Sequence, residues 1–293
     1  MNGALAGLGA VSDRIAALDG RWLAVAVAFH LGNIGFRALA WRAILVAAYP
    51  RAHVRLVDVA AAYAAGVALN AYVPARGGEA LKVALLRLRV RGATVAGIGA
   101  SSGVVLLFDA IVGAALVTTA WSLGLVPALP HPSATTAAAA AGMVAVALAV
   151  GAATPRLRAQ IRQGAAILST PGRYVRLVVP FQAGAWACRL VVAYAMLAAF
   201  GVPATVPLAG LVVVASGLST LVPATPGGAG TQQLLVVVAL QQVASAASAL
   251  SFSIGMQVGV TLVNTMLGLV ALSLVFGTLR PSTIRAGVRA GGG

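Results

Sequence analysis

Acidic side chains are scarce in this chain. Five Asp and Glu stand against 20 Lys and Arg in 293 residues, and charged residues of both signs make up only 9%. A soluble domain carries roughly 25% charged residues, so the composition excludes an ordinary water-soluble globule. The single cysteine, Cys188, excludes an internal disulfide and sits within an apolar run as a packing residue. The polar–apolar alternation of a membrane β-barrel strand is missing over any useful length. No Gly-x-x-x-x-Gly-Lys-Ser/Thr loop occurs, which excludes that mode of ATP binding. His30, His53 and His131 are scattered without metal-ligand spacing. Paired carboxylates and a nucleophile–His–acid set are also missing, so no metal, cofactor or catalytic activity is expected. The first 21 residues lack a basic start, and Asp13, Arg14 and Asp19 break their apolar stretch, which argues against a secretory signal. Ser12 is placed to cap a short interfacial helix there.

What remains is apolar: 60% of residues are hydrophobic and the mean hydropathy is +0.98. Apolar segments fall at 22–48, 57–73, 94–125, 134–153, 177–200, 208–222, 232–246 and 249–278. Several reach the ~20 residues that a spanning helix needs. The expected fold class is an all-α polytopic membrane protein. The net charge of +15 does not mark a nucleic-acid partner, because the basic residues sit at the ends of apolar runs. That is where the positive-inside rule puts them, and a basic edge suits an anionic inner leaflet.

Two stretches read almost alike: Asn70-Ala-Tyr-Val-Pro-Ala-Arg-Gly-Gly-Glu79 and Ser219-Thr-Leu-Val-Pro-Ala-Thr-Pro-Gly-Gly-Ala-Gly-Thr231. Each interrupts a hydrophobic stretch too short to cross a bilayer on either side. Paired breaks in corresponding positions of two halves point to a transporter built from repeats, with its site where the helices break. The loops at 126–133 and 201–207 contain no Lys or Arg and read as outside. Segment 154–176 holds Arg156, Arg158, Arg162, Arg173 and Arg176 and reads as inside. Its Leu157, Ile161 and Leu168 share a helical face, as in a helix lying on the cytoplasmic leaflet.

From 177–200 the chain runs inside to outside, and Arg280, Arg285 and Arg289 follow the last span on the inside. Residues 208–246 must therefore leave the outside and return to it, as a re-entrant hairpin. The first half admits the mirror arrangement, entering after Arg51 and Arg55 and returning to Arg87, Arg89 and Arg91. A rival topology makes 57–73 a full span with the N-terminus inside, and charge counting does not separate the two. Symmetry favours the hairpin, giving an inverted-topology repeat whose two hairpins meet near the midplane. The organisation expected is an interfacial segment at 1–21, one transmembrane domain at 22–279 and a cytoplasmic tail at 280–293. The halves are 22–125 and 177–278, joined by a connecting span at 134–153 and the amphipathic segment 154–176.

Some residues do not belong in lipid. Arg37, Asp109 and Arg189 fall near the middle of their spans, and Arg76 and Glu79 at the first hairpin tip. A charge at the bilayer centre costs at least about 2.5–3.5 kcal/mol, so such residues face a partner or a wet cavity. His30, Asn33, Arg37 and Trp41 share a face of the first span. Gln182, Trp186 and Arg189 share one of its counterpart. Ser102, Asp109 and Gly113 line a third, and Ser253, Gln257, Thr261, Asn264 and Gly268 the last. Interhelical glue explains any one stripe; four together indicate a hydrated central cavity. Basic residues outnumber acids in it, with Lys82 one turn beyond the tip, so an anionic group is the expected ligand. Arginine holds phosphate by two bonds, and the Gly-Gly tips would offer free backbone N–H groups.

Pro74-Ala-Arg76-Gly77-Gly78-Glu79-x-x-Lys82, with Asn70 upstream, resembles the first conserved element of the lysylphosphatidylglycerol synthase transmembrane-region family, the flippase-like domain proteins. Pro223-Ala-Thr225-Pro226-Gly227-Gly228-Ala-Gly230 resembles its second element. The likeness covers about residues 20–280. It implies movement of phospholipid between leaflets, as in the transport domain of the multiple peptide resistance factor. The family usually places an acid shortly after the second element, where this chain has Gln232 and Gln233. With the chain ending at Gly293, no soluble synthase domain and no aminoacylation of lipid are expected of it.

The function expected is a flippase or scramblase for an anionic phospholipid or a polyprenyl-phosphate-linked glycolipid in the cell membrane, by resemblance a bacterial inner membrane. Arg37, Arg76, Glu79, Lys82, Asp109, Arg189, Gln257 and Asn264 are the expected binding residues. The rival is a non-transporting membrane subunit that docks or regulates a glycosyltransferase or lipid-modifying enzyme; a third reading is a small-solute carrier. A separate lipid synthase or glycosyltransferase is the candidate protein partner.

Overall fold

The computed structural model describes residues 18–73, 77–122, 124, 154–219 and 228–277. Every regular element among them is helical. Asp19 opens α1 (Gly20–Ala48) by accepting the Arg21 N–H at 2.9 Å, a side-chain cap on an otherwise orphaned donor. Tyr49 caps its end, and Pro50 beyond it prevents continuation. A first pair, α2 (Leu56–Asn70) and α3 (Gly77–Arg89), precedes the long α4 (Val95–Ser122). Next come α5 (Pro155–Gly164), a 3-10 turn (Ala166–Ser169), α6 (Pro171–Leu177) and α7 (Val179–Ala199). A second pair, α8 (Val206–Ser219) and α9 (Thr231–Leu240), precedes α10 (Ala246–Phe276). Ser245 caps α10 by accepting the Ser248 N–H at 3.2 Å, and Gly277 ends it with a left-handed φ of 75°.

Four stretches are long and apolar enough to cross a membrane: α1, Val95–Thr119 of α4, Pro171–Ala199, and α10. The remaining apolar helices are shorter, with 15 residues in α2, 14 in α8 and 10 in α9. At 1.5 Å per residue these reach roughly 15–22 Å, short of a ~30 Å hydrocarbon core. Ile111, Met266 and Leu274 stand on the outer surface, as lipid-facing side chains do.

α1 lies lengthwise against α7 at the centre, α2 pairs with α3, and α8 pairs with α9. α10 packs on α2 and α9, while α4 packs on α3, α5 and α8. Two apolar cores result. One gathers Trp41, Ile44, Leu85, Leu86 and Ile98; the other gathers Leu197, Val236, Leu240 and Phe252. Small residues bring backbones close where helices cross, as is usual in membrane bundles. A Cβ on Gly66 would run into the Lys82 side chain and the Gly78 carbonyl. A Cβ on Gly268 would meet Ala68 and, at 3.3 Å, the Ala64 carbonyl.

Segment 154–176 differs from the single amphipathic helix expected. Helix α5 stops at Gly164, where a side chain would strike the Gly97 carbonyl of α4. The chain turns at Ala165, buries Ile167 in the first core, leaves Leu168 exposed, and restarts at Pro171. Leu157 and Ile161 therefore do not share a continuous face with Leu168. The expected connecting span 134–153, most of the N-terminal segment 1–21 and the tail 280–293 lie outside the described residues.

Candidate functional site

A cavity of about 560 Å³ opens between the two halves and draws its walls from α1, α2, α3, α4, α7, α8, α9 and α10. Of the expected binding residues, Arg37, Glu79, Lys82, Asp109, Arg189, Gln257 and Asn264 all line it. Arg76 lies outside the described residues, as do Pro74, Pro223, Thr225, Pro226 and Gly227. Of the tip residues, Asn70 and Gly228 reach the cavity wall.

The charges are organised into two pairs. Arg37 is 5% exposed and grips Asp109 with both guanidinium nitrogens, at 2.5 and 2.9 Å. This two-pronged geometry is the strong form of the ion pair. Trp186 donates its indole N–H to the same carboxylate at 3.0 Å, and the Arg189 guanidinium lies over the Trp186 ring, 4.7 Å from its centroid. The stripes read on α1, α4 and α7 thus meet at one carboxylate.

Lys82, 4% exposed, forms the second pair with Glu79 at 2.7 Å. One helical turn separates them on α3, and Ser102 of α4 donates to Glu79 at 3.1 Å. The Lys82 ammonium sits over two aromatic faces, 4.7 Å from the Tyr63 centroid and 5.4 Å from that of Trp41. Such cation–π contacts gain strength when desolvated. Trp41 is held in turn by its indole N–H on Ser101, at 2.9 Å. Glu79 therefore serves Lys82 and α4.

The rest of the wall is uncharged. His30 donates from Nε2 to Asn264 Oδ1 at 2.8 Å, Gln233 donates to Gln257, and Gln232 reaches Ser216 at 3.4 Å. Gln182 is fully buried, donates to the Val105 carbonyl at 3.3 Å, and braces the wall from behind. Ser253 is likewise buried beneath the surface, and Gly268 serves helix packing instead of the cavity.

One backbone donor near each tip is already taken by a side chain. The Gly78 N–H is taken by Asn70 Oδ1 at 2.8 Å, and the Gly230 N–H by Gln233 Oε1 at 2.6 Å. In each case a side-chain amide carbonyl satisfies one of the N–H groups at the helix start. Gly230 and Gly228 have φ of 84° and 74°, a backbone that only glycine adopts without strain. Gly228 is also close to Ser219, whose Oγ a Cβ there would meet at 2.9 Å.

Tyr63 was missed in the sequence. It sits in an alanine-rich helix with no polar neighbour beside it. The available signal was spacing: Tyr63, Val67 and Asn70 recur at i, i+4 and i+7 on one face of α2, and all three line the cavity.

Spanning apolar helices around a polar interior define a polytopic helical membrane protein. The chain belongs to the family described as lysylphosphatidylglycerol synthase TM region, whose model matches residues 3–268. No curated protein matches it.

Proposed function

We propose that this protein moves a lipid with an anionic head group, a phospholipid or a polyprenyl-phosphate-linked glycolipid, between the leaflets of the cell membrane. The observation that carries the reading is the cavity itself. About 560 Å³ of space, lined by Arg37, Lys82 and Arg189 against Glu79 and Asp109, lies amid apolar spans. Ligand sites commonly occupy about 300–1,000 Å³. Intramembrane charge is costly enough to mark function by default, and three cations over two acids favour a phosphate. Arg37 and Lys82 exchange their carboxylate partners for phosphate oxygens as the head group enters; Arg189 adds charge beside them. Family membership is consistent with a lipid-related transporter.

An inverted repeat accounts for the contact pattern. If α1–α4 correspond to α7–α10, the α1–α7 contact maps onto itself. The α2–α10 contact then maps onto α4–α8, and α3–α4 onto α9–α10; all of these contacts occur. The α2–α3 and α8–α9 pairs become two re-entrant hairpins of sub-bilayer length, whose tips meet the cavity from opposite sides. Alternating access about such a centre is the usual working mode of repeat-built transporters.

The test is leaflet exchange. Purified protein in proteoliposomes should speed the loss of inner-leaflet protection of a tail-labelled anionic phospholipid. If wild-type protein speeds exchange of no lipid, yet co-purifies with a glycosyltransferase, the cavity is structural and the regulatory-subunit reading replaces this one.

A further inference from the structure

Charge is distributed unevenly around the cavity. Every ionisable cation and carboxylate on its described wall comes from α1, α3, α4 or α7. Among the described residues, α8, α9 and α10 add valines, Met256 and polar side chains that are all neutral: Ser216, Ser219, Gln232, Gln257, Thr261 and Asn264. Both carboxylates are already committed. Asp109 is bound by Arg37 and Trp186, and Glu79 by Lys82 and Ser102. An incoming ammonium would find net positive charge and no carboxylate without a cationic partner.

Hydroxyls meet the opposite situation. Amide and hydroxyl side chains both donate and accept, and those here are paired through Gln233–Gln257, Gln232–Ser216 and His30–Asn264. A ligand hydroxyl can insert into such a bond, accepting from one partner and donating to the other, and leave neither unsatisfied. The same insertion by an apolar or cationic group leaves one unpaired, which is the costly outcome.

Resting on the lipid reading above, we infer that the head group is a phosphate carrying an uncharged polyol, a glycerol, inositol or sugar, and no amine. Its phosphate is held by the Arg37, Lys82 and Arg189 side, and its hydroxyls by the amide wall of α9 and α10. A Gln-rich wall of this kind selects by hydrogen bonding, and a site built to bond hydroxyls rejects analogues that lack them.

Head-group binding is read separately from transport, by thermal shift of the detergent-solubilised full chain with dihexanoyl lipids. Phosphatidylglycerol and phosphatidylinositol should bind at least about tenfold more tightly than phosphatidylethanolamine and phosphatidic acid, a difference of about 1.4 kcal/mol. Gln257→Leu should erase the preference for polyol over phosphatidic acid. Gln232→Glu, nearly isosteric and so safer for folding, should raise phosphatidylethanolamine binding and lower that of phosphatidylglycerol. Equal affinities, tighter binding of the amine, or no binding of any head group would overturn the inference. Glycerol 3-phosphate separates the sources: a shift equal to that of phosphatidylglycerol assigns the same chemistry to a soluble polyol phosphate. Selective binding without leaflet exchange would uphold the inference while removing the transport reading.

Discussion

Trp186 donates its indole N–H to Asp109 across 3.0 Å, tying the first long helix of the second half to the last long helix of the first. The same carboxylate receives both prongs of Arg37. One acid on α4 thus joins α1 and α7, the two helices that run along each other at the centre. It is both a structural knot and a charge facing the cavity, and the two roles can be separated by substitution.

Removing only the acid should be costly. Asp109→Asn leaves a guanidinium that is 5% exposed without its counter-charge, and breaking a buried pair costs about 3–5 kcal/mol. The Asp109 side chain keeps 21% exposure, so the loss should fall toward the low end of that range. The double variant Arg37→Met/Asp109→Leu should recover most of the thermal stability in detergent while leaflet exchange stays lost. If the double variant transports like wild type, the pair is glue alone.

A second expectation is steric. Gly78 is pressed against the Gly66 carbonyl, and a Cβ at Gly78 would also meet Asn70 Oδ1 at 2.7 Å. Gly78→Ala should push α2 from α3 at a cost of about 1–3 kcal/mol, and loosen the cage that holds Lys82. Gly99, where a Cβ would have nothing within 4 Å, should accept alanine with no loss in melting temperature. Equal tolerance at both sites would mean that the two helices do not pack as described.

The spans were legible because 20-residue apolar runs admit few alternatives, and α1, α4, α7 and α10 fall within a few residues of their expected ends. The polar stripes were legible for the same reason: residues at spacings of three and four have no cheap place in lipid. Three-dimensional pairing was not. Nothing local marks Tyr63 as half of an aromatic cage, because its partners Trp41 and Lys82 lie on other helices. Gln232 and Gln233 read only as replacements for an acid. Their distinct roles, one on the cavity wall and one capping Gly230 and bonding Gln257, follow from the turn geometry at two left-handed glycines. The break at Gly164 was hidden because it answers a backbone on another helix.

Lys82 supports a third prediction. Lys82→Met keeps the packing against Tyr63 and Trp41 but removes the charge, leaving Glu79 with Ser102 as its partner among the described residues. Exchange of an anionic lipid should fall about tenfold or more, equivalent to about 1.4 kcal/mol of barrier, with little change in melting temperature. Lys82→Arg should recover part of the rate, since charge returns but the larger guanidinium fits the cage poorly. Normal exchange by Lys82→Met would remove this residue from the site. Arg87→Ala, on the same helix but outside the cavity wall, should lose little.

The last prediction concerns how the two hairpins enter the membrane. Val73 stands exposed just after α2, within the first pair, and Ala229 is exposed just before α9, within the second. Cys188 is buried, so Cys188→Ala gives a background without reactive thiols. In that background Val73→Cys and Ala229→Cys should each react with a membrane-impermeant maleimide, but from opposite faces of sealed vesicles. If the two pairs are re-entrant, labelling should be slow: helices of 15 and 14 residues would end roughly 21–22 Å into a core of ~30 Å, and each thiol would be reached only through water in the cavity. Adding a short-chain anionic lipid should protect both positions together, because one cavity serves both tips. Labelling of both from the same face would eliminate the inverted repeat, leaving the cavity and its charges in place but opening to one side of the membrane.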